Sequence, residues 1–149
     1  MIDEPRSRWF RLSEWNGNHR LAALYPVALV ETRWRPLAET LDAIREAVGK
    51  AITITPNGGF RAQSHNAAVG GKRNSRHMFG DAADIRADHT SSKKLHSLIL
   101  TMYREGKLPR LGGLGLYPTF VHVDTRPRAK GAKLARWDET GENVRAQLA

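Results

Sequence analysis

Apolar residues recur at helical spacing in two segments of this chain. The first runs from Pro36 to about Gly49, where proline suits the first turn and glycine ends the helix. The second starts after Thr90 or Ser91, either of which can cap it, and ends near Gly106. The apolar stripes are Leu37, Leu41, Ile44 and Val48 in the first segment and Leu95, Leu98, Ile99 and Met102 in the second. The pattern predicts two amphipathic helices that turn these stripes toward a core.

Three shorter segments have the pattern of β-strands. Residues 51–55 are rich in β-branched side chains and end at a Pro-Asn-Gly-Gly turn, and residues 82–86 form a second short candidate. In residues 120–124 apolar and polar side chains alternate, which places His122 and Asp124 on one face of the strand and the apolar side chains on the other. Two polar side chains on the same face of a strand call for a structural or functional explanation.

The segments between these elements are polar or rich in glycine. Residues 58–74 read as a long loop with one helical turn near Ser64 to Ala68, and loops of this length are usually functional or disordered. Residues 112–118 lack the spacing of a phosphate-binding loop, and we predict a turn that leads into a strand. Residues 21–30 suit a helix interrupted at Pro26. Aromatic and apolar side chains before them could cover one edge of the core: Trp9, Phe10, Leu12 and Trp15.

Helix, strand, long loop, strand, helix, turn and strand together indicate an α+β fold with a small, mostly antiparallel sheet flanked by helices. At 149 residues the chain fits a single domain, residues 1–149, that can bury one core without disulfides. It contains no cysteine, so the redox state of its compartment cannot affect the fold.

The chain is strongly basic, with a net charge of +9 and a pI near 10.5. This charge favours contact with polyanions, among them nucleic acid, acidic cell-wall polymers and anionic membranes, without choosing among them. Basic residues crowd residues 126–136, and we expect the segment from about 126 to 149 to be a solvated basic tail. The charged N-terminus precedes no apolar stretch, so we expect synthesis in the cytoplasm without a signal peptide and no membrane insertion.

Candidate chemistry lies in two imidazoles and a carboxylate. His77 ends the polar loop, Asp84 lies on the strand after it, and His122 lies on a later strand. A catalytic zinc ion usually takes three such protein ligands and keeps a fourth position open for water. Spacing alone does not prove that the three converge. The other histidines, which lack comparable context, are expected on the surface or in loops: His19, His65, His89 and His96.

The surrounding pattern is more specific than the spacing. Ser75-x-His77-x-x-Gly80-x-Ala82-x-Asp84, followed by Phe120-Val121-His122-Val123-Asp124, resembles the zinc D-Ala-D-Ala carboxypeptidase and murein endopeptidase family, which shares its fold with the hedgehog signalling domain. The likeness extends upstream through residues 52–55, 59–61 and 69–71, and covers most of residues 9–137.

The resemblance implies a role for each of these residues. It makes His77, Asp84 and His122 the ligands of one zinc ion. Arg61 would bind a carboxylate or carbonyl of a peptide substrate, with Ser75 as a possible second contact. Arginine suits the first role because its planar fork matches a carboxylate.

The general base is the unsettled part of this pattern. Many relatives carry Glu or Asp three residues before the last zinc histidine, where this chain has Thr119, which cannot take a proton at neutral pH. Asp124 is the nearest substitute and could act as the base, orient His122, or itself bind the metal in place of His122. Asp81 is a more distant candidate.

The function expected from these observations is zinc-dependent hydrolysis of peptidoglycan stem or cross-link peptides by a monomer. A wall hydrolase made in the cytoplasm must be released by another route, as phage endolysins are, so a phage or a host origin stays open. Because Thr119 stands in place of the acid, a catalytically silent, metal-containing module that binds the cell wall is the alternative function. A nucleic-acid-binding domain rests on charge alone and lacks any recognition motif, so nucleic acid is not the expected partner.

Overall fold

The computed structural model describes residues 4–17 and 23–141. The helices are Arg35–Val48 (α1), Gln63–Ala68 (α2) and Ser92–Arg104 (α3), and the strands are Ile52–Ile54 (β1), Ala82–Ala87 (β2), Gly113–Leu116 (β3), Val121–Asp124 (β4) and Ala135–Asp138 (β5). Short 3₁₀ turns at Leu12–Trp15, Val27–Leu29 and Arg76–Phe79 and a π-helical turn at Val30–Trp34 complete the set.

Both long helices begin and end where the sequence predicts. Gly49 follows α1 in the left-handed region at φ 70°, and its N–H donates to the Arg45 carbonyl. The Ser91 hydroxyl caps α3 by accepting a hydrogen bond from the backbone N–H of Lys94 at 3.1 Å. Within the described residues, no helix is long and apolar enough to cross a membrane.

The five strands form one sheet in the order β1-β2-β4-β3-β5, in which only β3 and β5 run parallel. The predicted α+β fold with a mostly antiparallel sheet is therefore confirmed. Helix α3 packs on β2, β3 and β4, and α1 packs against α3. The sheet face toward the core carries Ala83, Ile85, Leu114, Val121 and Val123, all fully buried. The opposite face of β2 and β4 is left for polar side chains.

Two sequence predictions about the second half of the chain were wrong. Residues 113–116, predicted as part of a turn, form the fully buried strand β3 between β4 and β5. Its glycines hid the strand pattern, yet they allow close packing: a Cβ on Gly115 would lie 2.3 Å from the Trp137 indole nitrogen. Residues 135–138, predicted as part of a solvated basic tail, form β5.

The N-terminal third also differs in part from its prediction. Residues 21 and 22 lie outside the described residues. In the rest of the predicted 21–30 helix, residues 23–26 form no helix, residues 27–29 form a 3₁₀ turn, and the π-helical turn begins at residue 30. Phe10 and Trp15 are buried in the core as expected, whereas Trp9 is 43% exposed. Trp15 packs edge-on against Trp34 with ring centroids 5.6 Å apart.

We expect Gly59→Ala to destabilise the protein by about 1 to 3 kcal/mol, the usual cost of overpacking. A Cβ at Gly59 would lie 2.4 Å from the Trp15 carbonyl oxygen, which already accepts the Phe60 N–H at 2.9 Å. Urea unfolding should show the loss, and Lys50→Ala, an exposed change, should leave stability within about 0.5 kcal/mol. A Gly59→Ala protein as stable as its parent would contradict this contact.

Candidate metal centre

The pairing of β2 with β4 sets the foundation of the site. Asp84 and His122 are direct partners in this pairing, so their side chains leave the sheet on the same face. His77 reaches them from the 3₁₀ turn Arg76–Phe79, whose N-cap Ser75 accepts a hydrogen bond from the His77 backbone N–H at 3.3 Å. The sheet register and one capped turn thus bring the three predicted ligands together.

The Asp84 carboxylate lies between the two imidazoles. Its Oδ1 is 3.2 Å from Nε2 of His77 and 3.0 Å from Nδ1 of His122. One ligand atom from each of the three residues lies within 4.8 Å of the other two, and all three side chains are buried. Two nitrogens and a carboxylate oxygen in this arrangement match the protein ligands of a catalytic zinc site.

The second nitrogen of each imidazole is held by an acceptor. Nδ1 of His77 is 2.8 Å from the Gly59 carbonyl oxygen, and Nε2 of His122 is 2.7 Å from Oδ2 of Asp124. Each acceptor favours a proton on the nitrogen beside it, which makes the nitrogen facing Asp84 the one that would bind a metal. Both the tautomers of the two imidazoles and the set of ligand atoms therefore suit a metal ion.

The charges of the site stabilise one another. Burial alone would raise the pKa of Asp84, but the neighbouring His77 and the hydrogen bond from His122 hold it well below its usual range. Burial alone would lower the pKa of His122, but hydrogen bonds to Asp124 and Asp84 raise it to about 9. A metal ion must displace the proton of His122, so metal affinity depends on pH.

The three residues lie in a cavity of about 530 Å³. Its described lining consists of Arg61, Val69, Gly70, Gly71, Lys72, Asn74, Ser75, Arg76, His77, Asp84, Tyr117, Phe120, His122, Arg126, Trp137 and Glu139. Both residues predicted to contact substrate, Arg61 and Ser75, are in this set. The cavity is large enough for a short peptide segment beside the metal ligands.

Arg61 is held firmly in the cavity wall. Its Nε donates to the Asn57 carbonyl at 2.8 Å, and its Nη1 donates to Oδ1 of Asn66 at 3.1 Å. Its Nη2 lies 3.5 Å from Oδ2 of Asp84. Burial lowers the pKa of Arg61, and the charge of Asp84 partly offsets this. One edge of the guanidinium therefore faces the metal ligands while the rest is anchored.

Asp124 does not line the cavity in the described part of the chain but lies behind His122, with no solvent exposure. Arg126 donates to it through Nε at 2.8 Å and Nη2 at 2.7 Å. Burial alone would raise the pKa of Asp124, but the hydrogen bonds from Arg126 and His122 hold it well below its usual range. This geometry favours the role of orienting His122 among those that the sequence leaves open.

The remaining predicted residues lie away from the metal ligands. Asp81 is buried and forms a bidentate ion pair with Arg76, so its carboxylate is already engaged. His65, expected on the surface or in a loop, is instead buried on α2, where its Nε2 is 3.2 Å from Oδ1 of Asn57. His89 is exposed, His96 is half-buried on α3, and His19 lies outside the described residues.

Sequence reasoning assigned no role to several residues that line the cavity, among them Lys72, Tyr117 and Glu139. Glu139 follows β5, and the segment that contains it was interpreted as a tail because of its many basic side chains. The alternation of apolar and charged side chains in Ala135–Asp138 was the available signal in the sequence. Tyr117 lies where β3 ends, and its hydroxyl accepts a hydrogen bond from Nε1 of Trp137 at 3.0 Å.

Comparison with known proteins agrees with this geometry. Part of the chain is similar to a protein named zinc D-Ala-D-Ala carboxypeptidase from Streptomyces albus G, with 45% identity over 76 residues. The match covers 50% of this chain and 27% of that relative, so the chain spans well under two thirds of its length. The model of the peptidase M15 family matches residues 26–124, which include the three clustered ligands. The chain therefore belongs to the peptidase M15 family.

Proposed function

We propose that the protein is a zinc-dependent peptidase that hydrolyses stem or cross-link peptides of peptidoglycan. The observation that carries this proposal is the buried cluster of His77, Asp84 and His122, whose ligand atoms lie within 4.8 Å of one another in an open cavity. Membership in the peptidase M15 family and the name of the Streptomyces relative support the reaction and the substrate class. Degradation of the cell wall, in the manner of an endolysin, is the biological role that follows from this activity.

His77, Asp84 and His122 would hold the zinc ion, because both imidazoles have their second nitrogen fixed by an acceptor. When bound, zinc polarises the scissile carbonyl group and makes water a stronger nucleophile at neutral pH. The protein contributes a cavity wall that fixes the substrate next to these ligands.

Arg61 and Ser75 are the residues that we assign to substrate binding. The anchored guanidinium of Arg61 can pair with a peptide carboxylate, such as the free end of a D-alanine stem, without losing much side-chain freedom. Ser75 is half-buried in the same wall, so its hydroxyl can contact a peptide amide or carbonyl beside His77. Together they fix the substrate on one side of the metal ligands.

A second cavity offers a contact for the anionic wall. It has a volume of about 450 Å³ and adjoins the metal cavity, with Arg126 lining both. Its described lining contains five cationic side chains, Arg33, Arg110, Arg126, Arg128 and Lys130, and one acidic side chain, Asp81. Because Asp81 already pairs with Arg76 and Arg33, positive charge is in excess there. This excess favours carboxylate or phosphate groups of wall polymers.

The decisive experiment is mass spectrometry of peptides that the zinc-loaded protein releases from purified peptidoglycan. We expect new peptide termini that disappear with a chelator and in His77→Ala, because both remove the metal from the site. His96→Ala changes a histidine of α3 outside the cavity and should retain activity. If no wall type yields fragments although zinc is bound, the peptidase proposal is wrong and a silent wall-binding module gains support.

We expect Asp124→Asn to weaken zinc binding by about 10- to 100-fold, because the neutral amide holds the His122 imidazole less firmly. Competition with a chromophoric chelator measures this affinity. Asp138→Asn is the control, since Asp138 is also a buried strand aspartate but accepts hydrogen bonds from Thr140. If zinc affinity is retained while hydrolysis is lost, Asp124 acts as the base rather than as a support for His122.

Replacing Arg110 and Lys130 together by alanine should weaken adsorption to purified cell wall several-fold, most clearly at low salt. A pull-down with insoluble wall across a salt series measures the loss. Replacement of the exposed residues Lys50 and Arg104, which lie outside this cavity, removes the same charge and should have a smaller effect. Equal losses in both double variants would mean that net charge alone governs adsorption.

A further inference from the structure

The general base of the proposed reaction has to be a side chain that reaches the metal cavity. Thr119 is exposed outside the described lining of this cavity, and its hydroxyl cannot take a proton at neutral pH. Asp124 is enclosed behind His122 and held by two hydrogen bonds from the Arg126 guanidinium, so it has no open path to a substrate. Peptide hydrolysis still needs a group that accepts a proton from water.

Among the described residues that line the cavity, the acidic side chains are Asp84 and Glu139. Asp84 lies between the imidazoles of His77 and His122, where its carboxylate would hold the metal ion. Glu139 therefore remains as the carboxylate of the cavity wall that no metal ligand engages. It lies beyond residues 26–124, the part of the chain that the family model matches.

The sheet register places Glu139 on the metal face. Gly115 of β3 pairs with His122 on one side and with Trp137 on the other, so these two side chains share a face, and their rings lie 5.0 Å apart. Glu139 follows Trp137 by two residues, and its N–H donates to the Leu116 carbonyl at 2.8 Å, so the strand pairing continues through it. Its side chain therefore leaves on the face of Trp137 and His122.

Tyr117 lines the cavity together with Asp84 and Glu139. Burial raises the pKa of the Tyr117 hydroxyl, and the hydrogen bond from Trp137 opposes this. The charges of Asp84 and Glu139 raise the same pKa further, and the charge of Arg61 lowers it.

Glu139 is also free enough to move a proton. Its partner is Lys72, with Nζ 3.9 Å from Oε1, and the side chains of Lys72 and Glu139 are 77% and 40% exposed. An exposed pair at this distance contributes little stability, so the carboxylate can turn from Lys72 toward the cavity. Contact with solvent lets it exchange protons between turnovers.

We propose that Glu139, which follows β5 in the cavity wall, is the general base of the reaction. This inference rests on the peptidase function proposed above. As the water oxygen bonds to the scissile carbonyl carbon, the Glu139 carboxylate takes one water proton. As the C–N bond breaks, the protonated Glu139 gives that proton to the leaving nitrogen, which yields a carboxylic acid, an amine and the original carboxylate.

The test compares Glu139→Gln with Glu105→Gln, an exposed glutamate outside the cavity that also pairs with a lysine, Lys107 at 3.3 Å. We expect Glu139→Gln to lower kcat by about 10²- to 10⁴-fold, the usual contribution of a general base. Zinc affinity and the equilibrium binding of an uncleaved stem peptide should stay within twofold. Glu105→Gln should match the parent protein in all three measurements.

A second variant separates the loss of a base from the loss of local structure. Glu139→Asp keeps a carboxylate at this position on a shorter side chain, and we expect its kcat to exceed that of Glu139→Gln by at least tenfold. Glu139→Gln protein that binds zinc or the peptide many-fold more weakly would overturn the proposal in favour of a structural role.

The kinetic result also separates this inference from the function on which it rests. Hydrolysis by the parent protein with an unchanged kcat in Glu139→Gln overturns the base and leaves the proposed function standing. Absence of hydrolysis by the zinc-loaded parent protein overturns both.

Discussion

Burying a carboxylate in the middle of a sheet costs free energy unless donors or cations surround it. Asp84 is 5% exposed, and the side chains around it are His77, His122 and Arg61. Each of these neighbours is held in turn: His77 by the Gly59 carbonyl, His122 by Asp124, and Arg61 by Asn57 and Asn66. The side chains around Asp84 stabilise one another, and the loss of any one of them would leave a buried polar group without a partner.

The sheet can hold Asp84 and its neighbours because one of its faces packs on the core and the other carries the metal-binding side chains. On one face Ile85, Val121 and Val123 belong to the hydrophobic core beneath α3, which fixes the register of β2 against β4. A slip of one residue would turn His122 toward the hydrophobic core and Val121 toward the metal cavity, so the register that packs the core also places the ligands. Packing energy on one face thereby secures the geometry of the metal centre on the other.

The parts of this molecule that could be predicted from sequence are those with strong local patterns. Helix α1 has proline in its first turn and glycine after its end, and the alternation in β4 placed His122 and Asp124 on one face. Strand β3 escaped prediction because its two glycines, which indicate a turn in sequence, allow close packing against Asp124 and Trp137 in the fold. Strand β5 escaped because its basic neighbours suggested solvent, whereas pairing with β3 decides its structure.

The difference between local patterns and tertiary pairing also explains why the sequence indicated Asp124 as a site residue but not Glu139. Asp124 shares a short segment with His122, and its closeness in sequence suggested a catalytic role, yet that closeness lets Arg126 and His122 enclose it. Glu139 is far from the ligands in sequence and reaches their cavity only through the pairing of β3 with β5. A carboxylate that orients an imidazole needs burial and fixed partners, whereas one that carries protons needs access to water. The exposure of the two residues separates these tasks: Asp124 is fully enclosed, and the Glu139 side chain keeps 40% of its surface in solvent.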